Sequence, residues 1–152
     1  MKRGKYYSVD TLRICDSLYR PFTKRKLYYD EVLVDRPGLF RIFFPRNVAG
    51  NDNLIIVISD VGYTSDNFNV LVTDCVADLH LLASTDAHQC FPVYVYNEER
   101  TNRRENITDV ALRHCRKHFG DESISKWDLL YYVYAVLHLP SYREKFADNL
   151  KQ

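Results

Sequence analysis

The apolar positions change rhythm along the chain. Up to about residue 97 they come in short runs separated by turn residues. Lys26 to Val34 is rich in Tyr, Leu and Val, and Arg36-Pro37-Gly38 closes it. Leu39 to Phe44 (LFRIFF) stops at Pro45, and Asn51-Asp52-Asn53 precedes Leu54 to Ser59 (LIIVIS). Asn69 to Thr73 (NVLVT) and Phe91 to Tyr96 (FPVYVY) follow, with a polar loop from Ser84 to Gln89 between them. Runs of this length, rich in branched and aromatic residues and bounded by Gly, Pro and Asn, predict strands. Pro37 and Pro45 cannot lie inside central strands, so they mark strand ends.

The second half has a different period. Asn97 to Asn106 carries charge and no large apolar side chain, which predicts a loop or linker. From Ile107 the apolar residues Val110, Ala111, Cys115 and Phe119 fall on one helical face, with Gly120 as the stop. Ser125, followed three residues on by Asp128, predicts a capped helix running to Leu139. Pro140 ends that helix and opens a third, through Tyr142, Phe146 and Leu150. The pattern predicts an α+β fold, with a mostly antiparallel sheet portion followed by a three-helix C-terminal unit. It is expected to be a single domain over 1–152, with a β-rich portion (1–97), a polar linker (98–106) and a helical portion (107–152).

Composition adds that the chain is globular. With 152 residues, 46% apolar and 14% aromatic, it is long enough to bury a core. The net charge of +1 hides a division by position. Residues 1–50 hold 11 Lys/Arg against 5 Asp/Glu, residues 51–90 hold none against 6, and residues 91–152 hold 10 against 9. A near-neutral chain divided in this way can still present a positive face. The four cysteines form no C-x-x-C pair, which suits free thiols in a reducing compartment. No apolar run follows the basic N-terminus and none approaches the ~20 residues needed to cross a bilayer, so a cytoplasmic protein without membrane contact is expected.

Catalytic motifs are sparse. The glycines are isolated, so there is no phosphate-binding or dinucleotide loop, and no G-x-S-x-G elbow occurs. No cofactor and no metal are expected. Asp60, Asp66, Asp74, Asp78 and Asp86 recur with His80 and His88, a set that would suit a metal-dependent enzyme but matches no ligand spacing. His114 and His118, beside Arg113, Arg116 and Lys117, read as a solvated helix face, and His138 as a buried histidine capping carbonyls at a helix end.

The densest chemistry is YRPFTKRKLYY, Tyr19 to Tyr29. Arg20, Lys24, Arg25 and Lys26 stand beside Tyr19, Phe22, Tyr28 and Tyr29 around Pro21. Cations neutralise phosphates and aromatic faces stack on bases, so this stretch is the first candidate for contact with a polyanion. Arg41, Arg46, Arg103 and Arg104 extend the basic set.

Three stretches together resemble a known family. YRPFTKRKLYYD (Tyr19 to Asp30), VTDCVADLHLLAS followed by CFPVYVYN (Val72 to Ser84, then Cys90 to Asn97), and SKWDLLYYVYAVLHLPSYREKFADNLK (Ser125 to Lys151) are similar, in order and spacing, to the C-terminal specificity region of type ISP restriction-modification enzymes and related N6-adenine DNA methyltransferases. Thr23 stands where that family usually has Asp, and Lys26 where it often has Trp. The resemblance implies a target-recognition domain that binds duplex DNA and directs an adenine methyltransferase and nuclease without being catalytic itself. The N-P-P-Y motif of adenine methylation is absent. The implied partners are duplex DNA and the methyltransferase and helicase-nuclease regions of a parent enzyme. Residues repeated across the family, such as Arg20, Pro21, Phe22, Tyr28 and Tyr29, are expected to hold the scaffold. Arg20, Lys24, Arg25 and Lys26 are expected on phosphates, with Arg103 and Arg104 nearby, and Arg41, Arg46, Asn51 and Asn53 as base-reading candidates, since Arg and Asn suit guanine and adenine edges. The competing class is an interaction module, in which Tyr131, Tyr132 and Tyr134 and the acidic segment 51–90 dock on a methyltransferase core.

Overall fold

The computed structural model describes residues 8–30, 33–34, 38–45, 52–59, 68–82, 87–97, 99 and 101–151. The apolar run Leu54 to Ser59 organises these parts. Its strand β3 (Ile55–Ser59) lies between β4 (Val70–Thr73) and β6 (His88–Pro92), antiparallel to both. An unbroken apolar run is what a strand covered on both faces requires. Ile55 and Val57 face a first core with Leu18, Phe43, Cys75, Ala77 and Leu81. Ile56, on the opposite face, joins a second core with Val70, Val93, Tyr94, Tyr96 and Leu130.

The first core is closed by the hairpin of β1 (Ile14–Arg20) and β2 (Thr23–Tyr28), to which β5 (Val76–Ala77) adds in parallel. The run Leu39 to Phe44, expected as a strand, is instead one helical turn, α1 (Phe40–Phe43). A six-residue apolar run between Gly38 and Pro45 has no periodicity of its own. Coiling stacks Phe40 on Phe43 edge to face at 5.9 Å and turns both toward the first core. The strand expected at Lys26 to Val34 begins earlier, at Thr23, because β1 supplies its partner.

The polar stretch 98–106 contains β8 (Arg103–Glu105), which pairs antiparallel with β7 (Tyr94–Tyr96). The three expected helices follow. Thr108 caps α2 (Asp109–Phe119), and Gly120 closes it in the left-handed region at φ +66°. Ser125 and Asp128 form a capping box on α3 (Lys126–His138), and Pro140 opens α4 (Pro140–Lys145). Only Leu129 and Leu130 of α3 are buried, and no residue of α2 or α4 is. The fold is α+β, and among the described residues four of the five strand pairings are antiparallel.

His138 is exposed rather than buried, its ring 4.6 Å from Tyr134. The cap it was expected to provide comes from Arg143, whose Nε donates to the Leu137 carbonyl. A guanidinium arriving from the next helix fills the place at the end of α3, and the imidazole turns to solvent.

Candidate nucleic-acid interface

The β1–β2 hairpin positions the basic stretch. Arg20 and Thr23 are paired across a two-residue turn, Pro21-Phe22, and the register slips at Tyr19. Pro21 fixes its own φ, and Phe22 takes φ +63°, the pairing of conformations a type II turn requires. Glycine or asparagine usually fills that second place; a bulky ring there costs of order 1–3 kcal/mol. Phe22 is 92% exposed, so it does not hold the scaffold of this chain as the resemblance implied. Tyr29, by contrast, is buried.

Thr23, Lys24, Arg25 and Lys26 are all exposed along β2. Strand alternation puts Lys24 and Lys26 on one face and Arg25 on the other. Three cations of the stretch meet carboxylates. Lys24 Nζ lies 2.7 Å from Asp74, Arg20 lies 3.0 Å from Asp78, and Lys26 lies 2.7 Å from Asp16 directly across the ladder. Lys24 holds the Asp74 carboxyl below its ordinary pKa, chiefly by its hydrogen bond, and the same bond raises Lys24. Arg20 also lies 4.2 Å over the Tyr19 ring and donates to the Tyr19 carbonyl. The basic stretch is therefore largely neutralised within the fold. Only Arg25 of the four lacks an ion-pair partner among the described residues.

The other candidates are spread over the surface. Arg103 and Arg104 are exposed on β8; the Arg103 guanidinium lies 4.1 Å over the Tyr94 ring and 3.6 Å from Asp52. Arg41 is half-buried on α1. Arg46 and Asn51 lie outside the described residues. Asn53, expected to read bases, is fully buried. Its Nδ2 donates to the carbonyls of Phe43 and Tyr94, each at 2.8 Å, and its Oδ1 accepts from the Tyr94 N–H at 2.9 Å. Fully buried, with both donors used, the amide cannot reach a base; it locks α1 to β7.

The Asp/His set is likewise redistributed. Asp74 and Asp78 face cations, and Asp78 also accepts from the His80 N–H at 3.0 Å. Asp60, Asp66 and Asp86 lie outside the described residues. Among the described residues no three His, Cys, Asp or Glu side chains are arranged to hold a metal ion. Burial raises the Cys75 thiol and pushes Cys90 up to about 12, so neither is a thiolate nucleophile at neutral pH. His114 and His118 are exposed, as the solvated-face reading expects. No helix of the described residues is long and apolar enough to cross a membrane.

Two features escape sequence reasoning. One is the cross-chain pairing of the basic hairpin with Asp74 and Asp78; its only trace is the opposite charge of the first and second segments. The other is Lys126, whose ammonium is clamped between Glu105 and Asp109 with little exposure and joins β8 to both helices.

A family model described as the type ISP C-terminal specificity domain matches residues 1–152. Among solved structures, a DrdV–DNA complex aligns at 41% identity over 96% of this chain and 14% of that one, with a TM-score of 0.83. A nuclease-deletion mutant of the type ISP restriction-modification enzyme LlaGI with a DNA substrate mimic aligns at 28% identity over 99% of this chain and 12% of that one, TM-score 0.73. The ATP-dependent type ISP enzyme LlaBIII bound to DNA aligns at 26% identity over 99% of this chain and 10% of that one, TM-score 0.76. This chain thus spans between a tenth and a seventh of each relative. No curated protein matches it.

Proposed function

The chain belongs to the type ISP C-terminal specificity domain family, and from that premise we propose that it binds duplex DNA and chooses the sequence on which a larger restriction-modification enzyme acts. The observation that carries the reading is the alignment of nearly the whole chain, at 41% identity, with part of a protein solved as a DNA complex. Arg25 and Arg104, exposed and without ion-pair partners among the described residues, are the first phosphate contacts. Arg20 joins them by giving up the half-buried Asp78, and Lys24, Lys26 and Arg103 by exchanging exposed carboxylates for phosphates. Exposed pairs are worth only about 0–1 kcal/mol, so that exchange is inexpensive. Phosphate contacts position the duplex, while base contacts specify it. Readout falls to Arg41, Arg46 and Asn51, and not to the buried Asn53.

Methyl transfer and cleavage belong to other regions of the parent enzyme, in the cytoplasm, and the β-rich and helical portions act together as one recognition unit. Anisotropy of a labelled duplex across a salt series tests the reading. Each phosphate contact should add about −0.9 to the slope of log K against log salt. Affinity indifferent to salt would remove the cations from the interface.

A second reading concerns another face. Tyr131 and Tyr132 are 54% and 56% exposed on α3, and Phe119 packs edge-on to Tyr132 at 6.1 Å. This aromatic surface docks on the methyltransferase region of the parent enzyme.

A further inference from the structure

The tip of the β1–β2 hairpin carries a more specific role, one that rests on the DNA-binding reading above. Phe22 is 92% exposed, and its backbone sits at φ +63°. A ring that adds nothing to its own core, held in a conformation that bulky residues avoid, has its function outside the chain. Two kinds of partner suit such a ring, an apolar protein pocket and the faces of stacked bases. Its surroundings separate them. The core of a protein interface is depleted in charge. Phe22 has Arg20 and Pro21 on one side and Thr23, Lys24 and Arg25 on the other, all of the latter exposed. The ring stands at the tip beside Arg25, which has no ion-pair partner among the described residues, and beside Arg20 and Lys24, which must exchange Asp78 and Asp74 for phosphates. That setting suits a wedge that enters a base step while its neighbours hold the backbone. A two-stranded ribbon is also narrow enough to enter a groove.

We infer that Phe22 inserts against the base stack of the bound duplex, with Lys24 and Arg25 on the flanking phosphates. Pro21 fixes its own φ and so restricts the backbone of the turn that presents the ring.

The test uses the full 152-residue chain and a labelled mixed-sequence duplex. Phe22→Gly removes the ring and suits the left-handed backbone, so its Tm should equal or exceed that of the parent chain. Its duplex affinity should fall roughly tenfold to a hundredfold, the range of one lost base–aromatic stack. Phe22→Trp should keep affinity, and its indole fluorescence should be quenched on adding duplex. A parent chain that binds no duplex overturns the DNA-binding reading and this inference with it. A parent chain that binds, with Phe22→Gly equal in affinity and Phe22→Trp unquenched, overturns the wedge alone. If Phe22→Gly keeps duplex affinity but loses association with the methyltransferase region, the tip is a protein contact and the wedge is likewise overturned.

Discussion

Asn53 illustrates how a side chain suited to recognition is turned inward. Its amide satisfies three backbone groups on two elements, and each would otherwise be a buried, unpaired polar group. Asn53→Leu should therefore destabilise the chain by about 3 kcal/mol, read as a lower urea midpoint with unchanged slope. A change under about 0.5 kcal/mol would mean that water replaces the amide. The Lys24–Asp74 pair makes a weaker contribution with a defined pH dependence. The depressed Asp74 carboxyl stabilises above its unfolded pKa, and this is lost as pH falls through the folded value. The raised Lys24 stabilises below its unfolded pKa, and this is lost as pH rises through the folded value. Both side chains are about half exposed, so the total is under about 1 kcal/mol. Asp74→Asn should flatten both limbs of the stability profile. It should also free Lys24, giving tighter duplex binding and a steeper salt slope. Unchanged binding would place Lys24 away from the duplex. The sequence displays the cations but not these partners, because a pair 50 residues apart is made by β5 lying beside β1.

At the scale of elements, legibility follows from how locally each one is determined. The helices α2 and α3 are fixed by their own caps, so their ends are readable from Gly120, Ser125 and Asp128. Gly120→Ala should cost about 1 kcal/mol through the φ +66° it must adopt, measured as a lower Tm. An unchanged Tm would show that the end of α2 relaxes freely. The element α1 and the strand β8 are determined from a distance. The turn of α1 is held by Asn53 from another segment, and β8 is paired to Tyr94–Tyr96 although all three of its side chains are exposed. A charged strand paired on one edge and wet on both faces leaves no apolar alternation to read. The hairpin β1–β2 lies between these cases. Its aromatic and basic residues are evident, but β1 mixes Cys15, Asp16, Ser17 and Arg20, and only the ladder reveals it as a strand.

Across the whole molecule, β3 divides two cores, and among the described residues the helical unit packs its apolar side chains on the second. Ile107, Trp127, Leu130, Tyr134 and Leu137 supply that attachment, with the Trp127 indole donating to the Tyr94 hydroxyl at 3.2 Å. Arg143 adds a bond to the Phe68 carbonyl and lies 5.5 Å from its ring. Among the described residues Tyr131 packs its ring against Trp127 and Tyr132 against Phe119, and the exposed half of each ring is open to another contact. Replacing both with Ser should leave the duplex affinity of the isolated chain within error and lower its Tm by the equivalent of about 1 kcal/mol, the loss of two half-exposed ring contacts. The same pair of changes in the complete parent enzyme should weaken the hold of this domain on the methyltransferase region, read as faster proteolytic release and reduced modification of DNA at saturating duplex. A loss of Tm well beyond that would assign the two tyrosines to packing of the helical unit. Full modification with unaltered proteolysis would leave the β-rich face as the connection to the parent enzyme, and the hairpin would then have to share its surface between protein and duplex.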